Sequence, residues 1–406
     1  MNSWDEYVNP VVRDLPPSGI RRFFDLAAEM KGVISLGVGE PDFVTPWRIR
    51  EASIYAIEKG YTMYTSNSGL KELREEISRY LNRAFQLRYD PEKEILITVG
   101  VSEALDLALR ALVAAGDEVL IPEPTYVSYI PCTVMAGGVP VPLRTSMDNS
   151  FRITADQVEQ AITPRSKVLL LAYPNNPTGA VLPRAELEDI AAVAKEHDLV
   201  VISDEIYAQL TYDGEHISIA RLPEMRERSL VLQGFSKAFA MTGWRLGYAA
   251  GNEAFIGAMT KIHQYTMLCA PITAQMAAIE ALKNGLQEMR QMVRQYNYRR
   301  RLVINAFKEM GLPCFEPGGA FYAFPSIRET ALSSEEFCQR LLVEERVAVV
   351  PGTAFGPSGE GFIRCSYAAS VANLTEAFKR MAAFLQRLKK PLAAVAAPQG
   401  SVHSVK

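Results

Sequence analysis

Residues 233–247 read Gln-Gly-Phe-Ser-Lys-Ala-Phe-Ala-Met-Thr-Gly-Trp-Arg-Leu-Gly, with one lysine, Lys237, and one arginine, Arg245, in an otherwise uncharged run. Residues 229–235 before it are apolar enough for a buried strand, and residues 246–250 after it form another short apolar run. A lysine flanked by Ser, Ala and Phe between two core strands has no solvated face. An unpaired buried ammonium is costly, so the group must be paired, neutralised or used chemically. For a lysine considered alone, a side chain snorkelling from a strand end is the better explanation. The rest of the chain argues for chemical use.

Outward from this stretch, strand-like and helical patterns alternate from about residue 94 to 250. Strands are expected at 94–99, 117–121, 167–172, 199–203 and 229–235, and helices at 104–115, 154–161 and 183–197. That is the pattern of a doubly wound α/β sheet, mostly parallel. Polar residues stand just after the strands: Ser102, Tyr126, Asn176, Asp204, Tyr207 and Lys237. Ligands of open α/β sheets bind at the carboxyl ends of strands, so these distant residues are expected to converge on one site.

Upstream, helices are expected at 20–30, 46–59 and 70–85, with a strand at 33–36 and a polar, aromatic loop at 61–69. Gly37-Val38-Gly39 is a glycine turn and no dinucleotide fingerprint, because the third glycine is missing and Pro41 stands where a helix should open. Beyond residue 285 the alternation loosens. A long charged helix at 287–310, helices at 334–345 and 374–388, and strands at 347–351 and 361–366 suggest a smaller α+β unit. From Lys389 the chain is rich in Ala, Pro and Ser and is expected to be disordered.

The 406 residues suffice for one large domain and a smaller one. With a net charge of −3 and no basic block, nothing in the chain points to a nucleic-acid surface, which stays only a weak alternative. No apolar run approaches the ~20 residues of a membrane span, and no signal peptide is visible. The five cysteines are scattered without a Cys-x-x-Cys, which fits a reducing cytoplasm. The four histidines show no metal-ligand spacing, and no metal is expected.

Together these residues suit a cofactor with an aldehyde, a phosphate and a ring nitrogen. Lys237 suits the aldehyde. Asp204 suits a ring nitrogen kept protonated as an electron sink. Tyr207 suits a ring hydroxyl, and Tyr126 a ring face. Val101 and Ser102 at a helix N-terminus, Ser236, and the fork of Arg245 suit the phosphate. Arg364, inside the apolar run 362–366, is placed where a surface ion pair is a poor explanation, and its fork matches a carboxylate. Each residue alone has a plainer reading. Asp204 and Asn176 are good turn residues, Ser102 a good N-cap, Tyr126 an ordinary core aromatic, and Arg245 an ordinary ion-pair partner.

The segments 234–245, Asn-Asn-Pro-Thr-Gly at 175–179, Ser-Asp-Glu-Ile-Tyr at 203–207 and Ile-Arg-Cys-Ser-Tyr at 363–367 make the chain resemble a pyridoxal-phosphate (PLP) aminotransferase of class I/II, the aspartate-aminotransferase-like group, over about residues 10–388. The resemblance implies a large PLP-binding domain at 47–285 with a mostly parallel seven-stranded sheet sandwiched by helices. It implies a small domain built from 1–46 and 286–390, closing on substrate, and a tail at 391–406. Lys237 is implied to bind the cofactor aldehyde and then to move a proton between the substrate Cα and the cofactor C4′. Asp204 is implied to pair with the pyridinium, Tyr207 and Asn176 to bond O3′, Tyr126 to stack on the ring, and Val101, Ser102, Ser236 and Arg245 to hold phosphate. Tyr64 is implied to reach the neighbouring subunit's phosphate, hence a homodimer. Arg364, Asn176 and the Gly39 backbone are implied to bind the substrate α-carboxylate, with Ile20 near the substrate. One departure is Gly234, where the best-known members carry a phosphate-contacting serine. Ile20, Tyr64, Tyr126 and Phe355 suit an apolar substrate pocket, which points to a broad, aromatic or aliphatic donor, with alanine or aspartate still open and 2-oxoglutarate as acceptor. The alternative is a PLP-dependent C–S β-lyase on the same fold.

Overall fold

In the computed structural model, residues 4–17, 19 and 30–389 are described, and twelve strands fall among them. β1 (Ile34–Ser35) belongs to the N-terminal segment. β2 (Ile95–Thr98), β3 (Glu118–Glu123), β4 (Val139–Arg144), β5 (Ser166–Ala172), β6 (Val200–Asp204), β7 (Ser229–Gly234) and β8 (Gly247–Gly251) form one seven-stranded sheet in the order 2-8-7-6-5-3-4. β8 alone runs against the rest. The reason is the length of its connection: residues 235–246 contain no crossover helix, so the chain leaving β7 can return only antiparallel to it. The Lys237 stretch is this connection, and both its ends lie at the carboxyl edge of β7.

β2, β3, β5, β6 and β7 are buried almost throughout, as expected of strands covered by helices on both faces. Side chains such as Leu120, Leu169, Leu170, Val201, Ile202, Leu230 and Leu232 are fully or almost fully removed from water. Each contributes about 1.5–3 kcal/mol. The helix Gly100–Leu112 packs Ala104, Leu105, Ala108 and Leu109 on one face of it, and Arg184–Glu196 packs Leu187, Ile190, Ala191 and Ala194 on the other.

The C-terminal part carries β9 (Tyr322–Ala323), β10 (Val347–Ala348), β11 (Val350–Pro351) and β12 (Ile363–Ser366). β11, β12 and β9 make an antiparallel three-stranded sheet, while β10 pairs in parallel with β1. The single strand expected at 347–351 is therefore split between two sheets. The N-terminal segment is sewn to this part by Leu36 N–H to Ala348 O and Ser366 N–H to Leu36 O.

Two boundaries move in ways that matter. The helix expected from Ala104 begins at Gly100, with Val99 as N-cap, so Val101 and Ser102 lie in its first turn and Ser102 is no cap. β6 runs one residue further than expected and ends on Asp204 itself. Helices Glu253–Thr266 and Ile272–Asn284 have no counterpart in the expected elements. The helix expected at 20–30 falls almost wholly outside the described residues, with Ile20, and so does most of the tail from Lys389.

Candidate active site

The carboxyl edge of the large sheet and the glycine turn at 37–39 enclose a cleft of about 530 Å³. Gly39, Val101, Ser102, Tyr126, Asn176, Asp204, Tyr207, Ser236, Lys237, Arg245 and Arg364 all line it. They arrive by topology. Val101 and Ser102 follow β2, Tyr126 follows β3, Asn176 follows β5, Asp204 ends β6, Ser236 and Lys237 follow β7, and Arg364 comes across from β12.

Asp204 is 6% exposed at the floor of the cleft. Its Oδ2 accepts the Tyr129 hydroxyl at 2.8 Å, and its Oδ1 accepts the Ile206 N–H at 3.1 Å. The turn-capping role and the cleft-facing role thus coexist. Burial pushes its pKa up to about 6, against the opposing pull of those two hydrogen bonds. The next residue, Glu205, points to the other face, where Ser203, Ser218 and Gln233 donate to it.

Lys237 donates from Nζ to Gly39 O at 2.6 Å. Burial, with Arg364 and Arg245 nearby, brings its pKa down to about 8, while Glu40 pulls the other way. The lowered pKa favours the neutral amine, the form that can act as a nucleophile or a base. The snorkelling explanation fails, because the amine turns into the cleft.

Arg364 is 2% exposed and pairs with no carboxylate among the described residues. Nη1 donates to Asn176 Oδ1 at 2.9 Å, Nη2 to Gly37 O, and Nε is buried with no hydrogen-bond partner. Its guanidinium lies 4.5 Å from the Tyr322 ring and 4.8 Å from that of Phe355. Phe355 is therefore a buried support beneath Arg364 and does not line the cleft, contrary to its expected place in a substrate pocket.

The chemistry of this donor set fits PLP. On the side expected to take the phosphate, the first turn of Gly100–Leu112 is closely approached. A Cβ at Gly100 would lie 2.9 Å from Arg245 Nη2, and one at Gly247 would lie 2.7 Å from the Val101 nitrogen. Gly100 also has φ +78°, which favours glycine. Gly234 has a local reason too, since a Cβ there would sit 3.1 Å from Gly247 Cα, Leu246 O and Val101 Cγ2. Tyr64 does not line the cleft of its own chain and is 82% exposed.

Tyr129, Tyr322, Glu40 and Thr242 also line the cleft and escape the sequence reading. Tyr129 meets Tyr126 edge-on, with centroids 5.6 Å apart. Tyr322 shares a hydroxyl–hydroxyl bond of 2.7 Å with Tyr207. Thr242 donates to Glu40, tying the Lys237 connection to the glycine turn. The one signal for Tyr129 in the sequence is its spacing three residues after Tyr126.

Comparison with known proteins gives a consistent result. A family model described as aminotransferase class I and II matches residues 31–381. The Bacillus subtilis protein named "Putative aminotransferase YugH" is 57% identical over 94% of this chain and 99% of its own length. An aspartate aminotransferase of Pyrococcus abyssi is 47% identical over 92% of this chain and 97% of its own. Among solved structures, an aromatic aminotransferase from Pyrococcus horikoshii superposes with a TM-score of 0.86 at 44% identity, covering 91% of this chain and 99% of that one.

Proposed function

Because this chain belongs to the class I and II aminotransferase family, we propose that the cleft binds PLP through the residues named above and takes a broad range of amino donors, aromatic and aliphatic ones preferred. The protein is a PLP-dependent transaminase that moves an amino group between an amino acid and a 2-oxo acid. The β-lyase alternative finds no support, since the relatives are aspartate and aromatic aminotransferases.

PLP, when bound, supplies the carbonyl for amino exchange and the electron sink that makes the substrate Cα–H acidic. The chain's residues do the rest. Lys237, held by Gly39 O, is the amine for covalent attachment and the base that carries the Cα proton. Asp204, oriented by Tyr129 and Ile206, offers a buried carboxylate to a ring N–H. Tyr207 and Asn176 present donors for a ring oxygen, and Tyr126 a face. The first helical turn at Val101 and Ser102, with Ser236 and Arg245, receives the phosphate. Arg364 takes the α-carboxylate. The observation that carries this last role is an almost fully buried guanidinium with an unpartnered Nε and no carboxylate of its own.

Substrate choice rests on what the cleft lacks a use for. Its three cations, Lys237, Arg245 and Arg364, are each committed, and its remaining walls include Val38, Val127, Ile206 and Tyr126. Among the described residues lining it, none is a further cation for a distal carboxylate. Aspartate remains the second reading, favoured by the Pyrococcus abyssi relative. The acceptor we propose is 2-oxoglutarate.

The homodimer reading draws on the exposed apolar side chains Trp47, Tyr55, Ile57, Met63 and Tyr64 in residues 47–64. In it, Tyr64 completes the partner's phosphate site. The two-domain reading, 47–285 against 1–46 plus 286–390, draws on the pairing of β1 with β10. Five free thiols fit a cytoplasmic location, and no described helix is long and apolar enough to cross a membrane.

The deciding experiment is a half-reaction screen. Each amino acid is mixed with the holoenzyme and loss of the lysine-bound cofactor band is followed. Fast loss with Tyr, Phe or Leu and slow loss with Asp supports the reading; the reverse order overturns the substrate preference.

A further inference from the structure

Glu103 sits directly after Val101 and Ser102 in the first turn of the helix that faces the cleft. A carboxylate beside a phosphate-binding turn repels the anion that turn should attract. Here it does not line the cleft. Oε2 accepts the Val99 N–H at 2.5 Å, and Oε1 lies 2.7 Å from His263 Nδ1. A carboxylate without a proton only accepts, so Nδ1 carries the hydrogen.

His263, on the helix Glu253–Thr266, has a fully buried side chain, and Glu103 is 9% exposed. His263 Nε2 has no hydrogen-bond partner among the described residues. If packing were its only role, an apolar residue would fill the space without burying an unpaired nitrogen.

We propose that His263 is a positioning residue for the cofactor phosphate. It pins the Glu103 carboxylate away from the cradle, and through the Glu103–Val99 bond it sets the turn that offers backbone N–H groups to the anion. The proposal rests on the reading of Val101 and Ser102 as phosphate ligands. The close approach of Gly247 and Arg245 to that turn explains why its orientation matters. A plain strut between two helices is the competing role.

The test uses full-length protein stripped of cofactor, with dissociation constants measured for PLP and for pyridoxal, which lacks the phosphate. His263→Leu should weaken PLP roughly tenfold and leave pyridoxal unchanged. Adding Glu103→Gln should restore PLP binding, because an uncharged amide needs no restraint. Equal losses for both ligands, or a double variant no tighter than the single one, would overturn the proposal. Should His263→Leu fail to fold, Glu103→Gln alone decides: equal or tighter PLP binding supports it, and weaker binding overturns it. Arg245→Ala serves as the reference. If it too fails to separate PLP from pyridoxal, the phosphate-site reading falls. If it separates them and His263→Leu does not, only the role of His263 falls.

Discussion

The Tyr129 hydroxyl and the Asp204 carboxylate are joined by a 2.8 Å hydrogen bond at the floor of the cleft, between the helix Tyr129–Met135 and the end of β6. This bond opposes the effect of burial and keeps the carboxyl easier to ionise. Tyr129→Phe removes it and leaves Ile206 N–H as the remaining donor. PLP affinity should fall roughly 3- to 10-fold, the worth of one buried hydrogen bond. Equilibrium dialysis measures this, and unchanged affinity would mean the bond does not serve the cofactor.

Asp204 also makes the stability of cofactor-stripped protein depend on pH. Its folded-state pKa is raised from 3.8 to about 6, so folding favours the protonated carboxyl. That stability is complete below about pH 4, is lost as pH rises through about 6, and amounts to ~3 kcal/mol. Asp204→Asn carries no such titration. It should gain on the wild type between about pH 4 and 6 and keep a constant advantage just above. Lys237 acts in the opposite direction: its pKa is lowered to about 8, and stability is lost as pH falls through that value. Denaturant titrations of both proteins across this range provide the check.

Lys237→Ala should lose the visible band of lysine-bound cofactor and reduce turnover by a factor of roughly 10³ or more. Spectra and steady-state assays read both effects. A yellow, active variant is incompatible with the role given to this amine.

Arg364→Lys keeps the charge and loses the fork. KM for both amino and 2-oxo acid should rise about 10- to 100-fold, a loss of ~1.5–3 kcal/mol, while PLP is retained. If PLP retention suffers and KM does not, Arg364 serves the cofactor.

If Tyr64 serves the partner's site, two defective homodimers should complement one another. A mixed dimer of Lys237→Ala and Tyr64→Ala chains contains one site with both defects and one with neither. Activity should therefore reappear on subunit exchange. Its absence in verified mixed dimers would place Tyr64 outside the partner's site.

Lys237, Asp204 and Arg364 are legible in the sequence because an ionisable group at or within an apolar strand has few explanations. Tyr129 and Tyr322 are not. Each passes for a core aromatic, and their partners, Asp204 and Tyr207, lie 75 and 115 residues away. His263 is hidden in the same way, 160 residues from Glu103. The parallel sheet is legible from alternating strands and helices, whereas the split between β10 and β11 depends on which sheet each two-residue piece joins. The helix Ile272–Asn284 escapes because Ala274, Gln275, Ala277, Ala278, Ile279, Ala281 and Leu282 wrap most of its circumference in buried side chains, leaving no clear amphipathic stripe.

The bonds from Lys237 to Gly39 and from Arg364 to Asn176 span 198 and 188 residues of chain. Contacts so distant in sequence close long loops, and folds rich in them fold slowly. Neither contact can form until both of its ends are present in the chain. A cofactor that binds only the folded cleft stabilises it by mass action, so its uptake would report on folding and its loss on the fold loosening.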